Sequence, residues 1–367
     1  MLGLVALVAN VVSQPTQCLL ALLSIYRRRD ICRCLFESAC AEDRLLSGEV
    51  VASLELHAQP RAKSVSYPLP AAPMRCLGYF DDAFPAVLRT IPDPPLVLYV
   101  LGSLDWLGQP VVAIIGARRA TALGRTSALA MAEQLGRSGV HIVSGLAYGI
   151  DAAAHQGALK SGSTSAILGS GLLEVYPKSH VPISREIQKR GGALISELPP
   201  YFGPRSWQFP ERNRLISGLA NAVVVVEAGE RSGSLITARL ALEQGREVFA
   251  VPGAINNRVS RGSHRLIKEG AALATGADDV LEGLGLSSVD TTSLPTQEVE
   301  TESPRKHKLS EREQFLLEHL QGYGTDVEAL VRLTGMPAQE VSAMLGSLEL
   351  LGIVRRNRDG YIAATLN

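Results

Sequence analysis

A glycine turn that carries two arginines follows one of the most apolar segments of this chain. Residues 111–125 read VVAIIGARRATALGR, so that five apolar residues lead into Gly116 and then into Arg118 and Arg119. A buried strand, a tight turn and a helix direct backbone N–H groups and the positive end of a helix dipole outward, which suits a phosphate. We therefore expect Gly116 to let a phosphate approach the backbone and Arg118 to neutralise it.

Cations, hydroxyl groups and glycines also follow the other apolar runs of the central region. Because the carboxyl ends of parallel strands meet at one edge of a sheet, we expect these residues to converge. The predicted binding set is Gly116, Arg118, Arg119, Ser144, Gly145, Gly149, Lys178, Arg205, Arg212, Asn213, Arg214, Ser232, Gly233 and Ser234. Aromatic residues stand between these cations in the sequence, namely Tyr176, Tyr201, Trp207 and Phe209. We expect Phe209 to lie in the core. Cations that follow a phosphate backbone, with aromatics for base stacking, are typical of a groove for single-stranded nucleic acid.

Dinucleotide binding is the main alternative for a turn of this kind, and the sequence fits it poorly. No G-x-G-x-x-G motif follows the first strand, and Ser144 and Gly145 stand where an acidic residue would take a ribose. Gly169 and Gly171 form only a G-x-G, and no Walker A sequence is present, which excludes a P-loop nucleotidase. A mononucleotide ligand stays open.

Catalytic chemistry finds little support in the residue types. His155 and His180 have no evident nucleophile partner, and Asp151 is expected to cap the helix that follows it. Glu197 and Glu227 stand at strand ends, where we expect them to pair with neighbouring arginines. We therefore predict no catalytic residue, no metal site and no cofactor.

The elements that position these residues alternate regularly. Apolar runs separated by helical patterns predict an α/β domain, an extended Rossmann-like and mostly parallel sheet with helices on both faces. Prolines on both sides of residues 96–101 suggest an edge or entry strand there, not a central one. The other predicted strands are 111–115, 140–143, 165–168, 193–195, 222–226 and 248–251, and the predicted helices are 121–138, 151–161, 179–190, 212–219 and 233–244.

Composition divides the chain into four parts. Residues 1–75 read as a divergent helical region, 76–285 as the Rossmann-like domain, and 286–308 as a solvated linker rich in Ser, Thr, Glu and Pro. Residues 309–367 read as three helices and a hairpin that turns at Asp359–Gly360, a winged-helix domain.

The third helix of the winged-helix domain lacks the charge that a major-groove reader needs. Residues 338–351 carry Glu340 and Glu349 and no basic residue. We therefore predict that this domain does not read sequence, and that any DNA contact uses Arg355, Arg356 and Arg358 in the wing. A protein-interaction role is the alternative.

Charge and cysteine usage set further bounds. The chain carries 36 basic and 36 acidic residues, so that a nucleic-acid partner must be argued from local clustering. All five cysteines lie in the first 76 residues without paired C-x-x-C spacing, which favours free thiols over a zinc site. Polar residues interrupt the apolar segment 1–26, and no positive segment precedes it, so that we expect neither a membrane span nor a signal peptide and predict a cytoplasmic protein.

Several long motifs occur in order between residues 78 and 284. They include GAR at 116–118, SGLAYGIDAAAH at 144–155, FPERNRLISG at 209–218 and SGSLITA at 232–238. This set resembles the DprA (Smf) family of bacterial DNA-processing proteins of natural transformation. The resemblance implies a protein that binds single-stranded DNA in a basic pocket, dimerises, and loads RecA onto the incoming strand without catalysing a reaction. A single-strand-binding protein is a further implied partner.

The resemblance also implies roles for single residues. Arg118 and Lys178 would contact phosphates, Arg212 and Arg214 would flank Asn213 as a basic pair, and Ser232–Ser234 would supply a hydroxyl-rich turn. Leu242, Leu266 and Ile267 are candidate interface positions, with core packing as the alternative. The Leu-Pro-Gly-x-Gly text common in the N-terminal module of the family is absent from residues 1–61.

An enzyme that processes a nucleotide or nucleoside is the competing function, because related Rossmann-like scaffolds support one. The discriminating feature is a Pro-Gly-Gly-x-Gly-Thr loop after the fifth strand, and this sequence lacks it.

Overall fold

A computed structural model describes residues 13–25, 28–35, 41–47, 49–57, 73–286, 310–320, 325–350, 353–357 and 360–363. The chain divides into two compact units, Met1–Thr291 and Thr292–Asn367. Apart from residue 286, the predicted linker at 286–308 lies outside the described residues.

The first unit is built on a sheet of nine described strands. They are β1 (Arg75–Gly78), β2 (Val97–Gly102), β3 (Val111–Ile115), β4 (His141–Ser144), β5 (Thr164–Ile167), β6 (Ala193–Ser196), β7 (Ala222–Val225), β8 (Glu247–Ala250) and β9 (Ala272–Leu273). Their order across the sheet is β1-β2-β6-β5-β4-β3-β7-β8-β9. β2 is antiparallel to both of its neighbours, and the pairs from β6 to β9 are parallel.

The sheet order places a topological switch point beside β3. The chain proceeds from β3 through β4 and β5 to β6 on one side, then crosses to β7 on the other side of β3. Ligands of doubly wound sheets bind where the strand order reverses in this way. The strand predicted at 96–101 is observed as β2. It is not the edge strand, because β1 pairs along its outer side, but as the second strand of the sheet it is not central, as predicted.

Helices alternate with the strands as the periodicity predicts. They are α1 (Gln14–Ile25), α2 (Arg28–Leu35), α3 (Ala41–Ser47), α4 (Glu49–His57), α5 (Ala86–Arg89), α6 (Ala122–Arg137), α7 (Ile150–Ser161), α8 (Val181–Lys189), α9 (Gln208–Leu219), α10 (Gly233–Glu243), α11 (Arg261–Lys268) and α12 (Ala277–Gly283). The start of α6 is fixed by Thr121, whose hydroxyl accepts a hydrogen bond from the Gly124 N–H at 2.9 Å.

Alternate residues of the central strands supply two separate cores. Ala113 and Ile115 of β3 join a cluster with residues of α9 and α10, whereas Val112 and Ile114 join a cluster with residues of α6, α7 and α12. All five residues of β3 are buried, as a strand covered on both faces requires.

The N-terminal helices contribute to a third core, on which the strands β2 and β6 also pack. Leu19, Ile31 and Leu54, from α1, α2 and α4, are buried in one cluster with Tyr99 of β2 and Leu194 of β6. These helices therefore share hydrophobic packing with the sheet, within the same compact unit. Cys18, Cys32 and Cys76, the described cysteines, are free thiols.

The C-terminal unit contains α13 (Glu311–Glu318), α14 (Val327–Thr334), α15 (Ala338–Leu350) and an antiparallel hairpin of β10 (Val354–Asn357) and β11 (Gly360–Ala363). Leu316, Leu330, Val341, Leu345 and Val354 form its core. Arg355 is exposed on β10, whereas the side chains of Arg356 and Arg358 lie outside the described residues. Within the described ranges of the chain, no helix is long and apolar enough to cross a membrane.

Candidate nucleic-acid interface

An open groove of about 830 Å³ lies at the switch point, at the carboxyl ends of β3 and β7. We call it the strand-end groove. Its sides come from the turn after β3, the turn before α10, the loop 204–206 and the first half of α9. Nine residues of the predicted binding set line it, namely Gly116, Arg118, Arg119, Arg205, Arg212, Asn213, Ser232, Gly233 and Ser234.

The turn after β3 presents exposed cations to the groove. The guanidinium carbon of Arg118 lies 5.2 Å from the centre of the Phe209 ring, a cation–π contact that orients an otherwise exposed side chain. Packing within the protein also favours glycine at position 116, because a Cβ there would lie 2.6 Å from Ile150 Cγ1 and 2.8 Å from the Glu227 carbonyl oxygen. The glycine therefore lets this turn pack closely against the start of α7 and the end of β7.

The start of α10 presents hydrogen-bond donors on the other side. Ser232 caps this helix, and its Oγ lies 2.7 Å from Ser234 Oγ. A Cβ built on Gly233 would meet no other part of the protein within 4 Å, so that this position at the start of the helix is open. Arg231, which sequence reasoning left out of the binding set although it adjoins Ser232, also lines the groove. The exposed cation and the positive end of the helix dipole together favour an anion here.

A buried arginine forms the floor. Arg212 is 6% exposed, and its Nη1 donates to the carbonyl oxygen of Gly145 at 2.8 Å and to that of Ile167. Its Nε has no hydrogen-bond partner among the described residues. Burial lowers the pKa of Arg212 to about 10, partly offset by the Asp151 carboxylate, so that the side chain keeps its charge at neutral pH.

Asp151 holds the turn after β4 in place. Its Oδ2 accepts hydrogen bonds from the N–H groups of Gly145 at 3.1 Å and Ala147 at 3.3 Å. Burial raises the pKa of this carboxyl, while Arg212 acts in the opposite direction. The expectation that Asp151 caps α7 is wrong, since Gly149 occupies the cap position and Asp151 lies inside the first turn.

Aromatic rings lie along one side of the groove. Tyr176 and Phe209 both line it, with their ring centres 5.8 Å apart. Phe209 is only partly buried, so that its assignment to the core is wrong. Trp207 and Tyr201 lie in the loop that precedes α9 and are 50% and 75% exposed. The exposed rings of Tyr176, Tyr201 and Trp207 therefore offer faces for stacking, whereas the Arg118 guanidinium lies over the Phe209 ring.

Three members of the predicted set after β4 are structural. Ser144 is fully buried and donates from Oγ to the Ile114 carbonyl oxygen at 2.6 Å. A Cβ at Gly145 would lie 2.4 Å from Arg212 Nη1. Gly149 has a φ of 79°, and a Cβ there would lie 2.2 Å from the Ala117 carbonyl oxygen. None of the three lines the groove. For the buried Ser144 and Gly145 the prediction of DNA contact is wrong, whereas for the partly exposed Gly149 it stays a prediction.

Arg214 and Lys178 also lie outside the groove lining, for different reasons. The side chain of Arg214 is 5% exposed and ion-paired with Glu197 at 2.7 Å and Asp93 at 3.2 Å, so that its assignment to DNA contact is wrong. Lys178 is exposed and forms a surface ion pair with Glu174 at 3.1 Å. Its role in DNA contact stays a prediction.

Glu197 and Glu227, the two glutamates at strand ends, have different kinds of partner. Glu197 pairs with arginines, as predicted. Glu227 instead accepts hydrogen bonds from the N–H of Thr121 at 2.9 Å and its hydroxyl at 2.6 Å, which ties the turn after β7 to the start of α6. The pairing predicted for Glu227 is therefore corrected.

The histidines considered for catalysis are buried. His155 Nδ1 lies 2.8 Å from Thr164 Oγ1, and burial lowers the pKa of this histidine to about 3. His180 Nδ1 lies 2.9 Å from the Leu146 carbonyl oxygen. Neither residue lines the strand-end groove.

The candidate interface residues divide by exposure. Leu242 of α10 is 60% exposed. Leu266 is 7% exposed within the core that contains β3 and α9, and Ile267 packs against the same core. For Leu266 the structure therefore supports core packing in place of an interface.

Comparisons with known proteins agree with this architecture. Residues 75–285 match the family described as DNA recombination-mediator protein A, and residues 300–360 match the DprA winged helix domain. Protein Smf of Escherichia coli is 40% identical over 283 residues, which cover 77% of this chain and 75% of that protein. DNA processing protein DprA of Bacillus subtilis is 41% identical over 211 residues, covering 57% of this chain and 71% of that protein.

Solved structures of DNA processing protein A also superpose on this chain. The X-ray structure of DNA processing protein A from Streptococcus pneumoniae superposes with a TM-score of 0.64 at 34% identity, covering 74% of this chain and 98% of that chain. A structure of the Helicobacter pylori protein, described for its single-stranded DNA binding mode, superposes with a TM-score of 0.53 at 31% identity, covering 58% of this chain and 95% of that chain.

Proposed function

The chain belongs to the DNA recombination-mediator protein A (DprA) family, and from this premise we propose that its strand-end groove binds single-stranded DNA. The observation that carries the proposal is the combination of cations, hydrogen-bond donors and aromatic rings in one groove. Exposed Arg118 and the donor-rich start of α10 suit phosphates, and the rings of Tyr176 and Phe209 suit bases.

The aromatic side favours a single strand over a duplex. In a duplex the base faces are covered by their neighbours in the stack, whereas an unpaired base can place its face on an aromatic ring. Trp207 and Tyr201, which are exposed on the loop before α9, extend the ring surface beyond the groove itself. The loop before α9 therefore offers two further rings for unpaired bases.

We further propose that the protein acts as a recombination mediator without catalysing a reaction. It would present the bound strand to RecA in the cytoplasm during natural transformation, as a homodimer and in contact with a single-strand-binding protein. The description of the family as recombination mediators supports this role. Exposed Leu242 is the remaining candidate for a protein contact. Among the described residues that line the groove, the one carboxylate is that of Asp151, whose Oδ2 accepts hydrogen bonds from two backbone N–H groups.

The test is fluorescence anisotropy of labelled oligo-dT with the full chain over a salt series. Arg118→Ala is expected to weaken binding by about tenfold or more, the value of a lost charge-assisted hydrogen bond. It should also reduce the slope of log K against log salt by about 0.7 per lost phosphate contact. Lys178→Ala tests whether the path of the strand continues beyond the groove lining.

The matched control is Arg137→Ala, which removes an equally exposed arginine from the far end of α6. This variant should bind as the wild type does. Equal affinity of Arg118→Ala and Arg137→Ala for oligo-dT, with both at wild-type level, would overturn the assignment of the groove.

A further inference from the structure

Four charged side chains form a closed ion cluster outside the strand-end groove. In this cluster of Arg28, Asp93, Glu197 and Arg214, each guanidinium contacts both carboxylates. Arg214 Nη2 donates to the two oxygens of Glu197 at 2.7 and 2.8 Å, and Arg28 Nη2 donates to Asp93 at 2.6 Å. The two arginine side chains are only 13% and 5% exposed, so that the charges balance within a largely buried site.

The ion cluster joins parts of the chain that are distant in sequence. Arg28 begins α2, Asp93 lies in the loop before β2, Glu197 follows β6 at its carboxyl end, and Arg214 lies on α9. Asp93 is separated from Arg28 by 65 residues and from Arg214 by 121. The cluster therefore connects the N-terminal helices to the helix that carries the floor of the groove.

Helix α9 is held by arginines on opposite sides. Arg212 and Arg214 are two positions apart, which corresponds to about 200° around a helix. Arg212 reaches the carbonyl oxygens after β4 and β5, while Arg214 reaches the ion cluster. The position of Phe209 and Asn213, which line the groove from the same helix, depends on both attachments.

We propose that Arg28 is a positioning residue for DNA binding, although it does not line the groove. By completing the ion cluster it attaches α2 to α9 and keeps the α9 residues in their places in the groove. Loss of Arg28 removes one of the described cations that contact Asp93 and Glu197, and with it the side chain that α2 contributes to the cluster. This inference rests on the proposed function for its effect on binding, but its effect on α9 stands alone.

The test compares Arg28→Met with the double variant Arg28→Met/Asp93→Asn. The double variant leaves Arg214 opposite Glu197 and so restores the balance of buried charge, but not the link to α2. Both variants should bind oligo-dT about twofold to thirtyfold more weakly than the wild type, the range for a residue that acts through others. Amide hydrogen exchange should be faster over residues 208–219 in both. The midpoint temperature of thermal unfolding should be lower in the single variant than in the wild type, and the double variant should largely recover the wild-type value.

The controls separate positioning from general damage. Arg28→Lys keeps the charge and should bind with intermediate affinity, and Arg190→Met removes an arginine of an exposed ion pair with Glu186 and should change nothing. Recovery of both stability and affinity in the double variant would overturn the proposal, as would wild-type exchange over 208–219 in either folded variant. If the wild type itself fails to bind oligo-dT, the proposed function fails, and hydrogen exchange still decides whether Arg28 holds α9.

Discussion

Three arginines of the predicted binding set occupy three different environments. Arg118 is exposed and rests on the Phe209 ring, Arg212 is buried with two backbone carbonyl oxygens, and Arg214 is buried between two carboxylates. Only Arg118 can exchange its partners without leaving a buried charge unpaired, and an unpaired buried charge is strongly destabilising. Under the proposed function, Arg118 would therefore supply the adjustable phosphate contact and Arg212 a fixed charge in the floor.

Two buried histidines make the stability depend on pH. Burial lowers the pKa of His141 and of His155 to about 3, against about 6.5 in an unfolded chain. Between these values the unfolded chain binds protons that the folded chain does not, so that stability falls as the pH drops below about 6.5. From pH 7.5 to pH 5, each histidine should lower the free energy of unfolding by about 2 kcal/mol.

Urea unfolding at the two pH values checks this prediction. His155→Gln, which removes the titrating ring, should lose about 2 kcal/mol less than the wild type does over the same pH change. An identical loss in the variant and the wild type would show that His155 is protonated in the folded state.

At this scale the sequence predicted residue types better than their environments. The run Arg212-Asn213-Arg214 reads as one basic group, but a helix turns residues two apart to opposite sides, and only the position of Glu197 decides which arginine is neutralised. Gly145 and Gly149 read as loop residues open to a ligand, and in the structure the Arg212 guanidinium and the Ala117 carbonyl oxygen lie where their Cβ atoms would be. Such packing depends on residues far apart in sequence.

The turn between β3 and α6 is the element that depends most on close packing. In Gly116→Ala the new Cβ would meet Ile150 Cγ1 at 2.6 Å and the Glu227 carbonyl oxygen at 2.8 Å. Because the second contact is with backbone, we expect a loss of about 1–3 kcal/mol in the free energy of unfolding, the usual cost of overpacking. The displaced turn should also weaken oligo-dT binding through Arg118.

Gly108→Ala is the matched control for this change, since no atom lies within 4 Å of its Cβ position. Its stability in urea should stay within about 0.5 kcal/mol of the wild type. If Gly116→Ala is as stable as Gly108→Ala, the close packing of the turn is not required.

Element boundaries followed the apolar period closely where strands are buried on both faces. The strand 111–115 was predicted residue for residue, whereas α9 begins at Gln208 and not at 212. The reason is Pro210, which lies in the first helical turn, where a missing N–H costs little. The strand β9 has two residues, which are too few to show a period.

The whole molecule shows why local clustering outweighs composition. Its formal net charge is zero, yet the crossing from β6 to β7 brings the cations after β3 and before α10 to one groove. Alternating strands and helices predict a parallel sheet, but not the order of its strands, which depends on pairing between distant segments. The attachment of α2 to α9 through the ion cluster was not predicted, because its four residues come from four separate segments.

Photo-crosslinking tests the central claim most directly. The full chain would be irradiated with an oligo-dT that contains bromodeoxyuridine, and the crosslinked residues would be identified by mass spectrometry. The rings beside the cations predict crosslinks at Tyr176, Trp207 or Phe209, reduced in Arg118→Ala. Crosslinks confined to the C-terminal unit, with none in residues 176–209, would contradict the account.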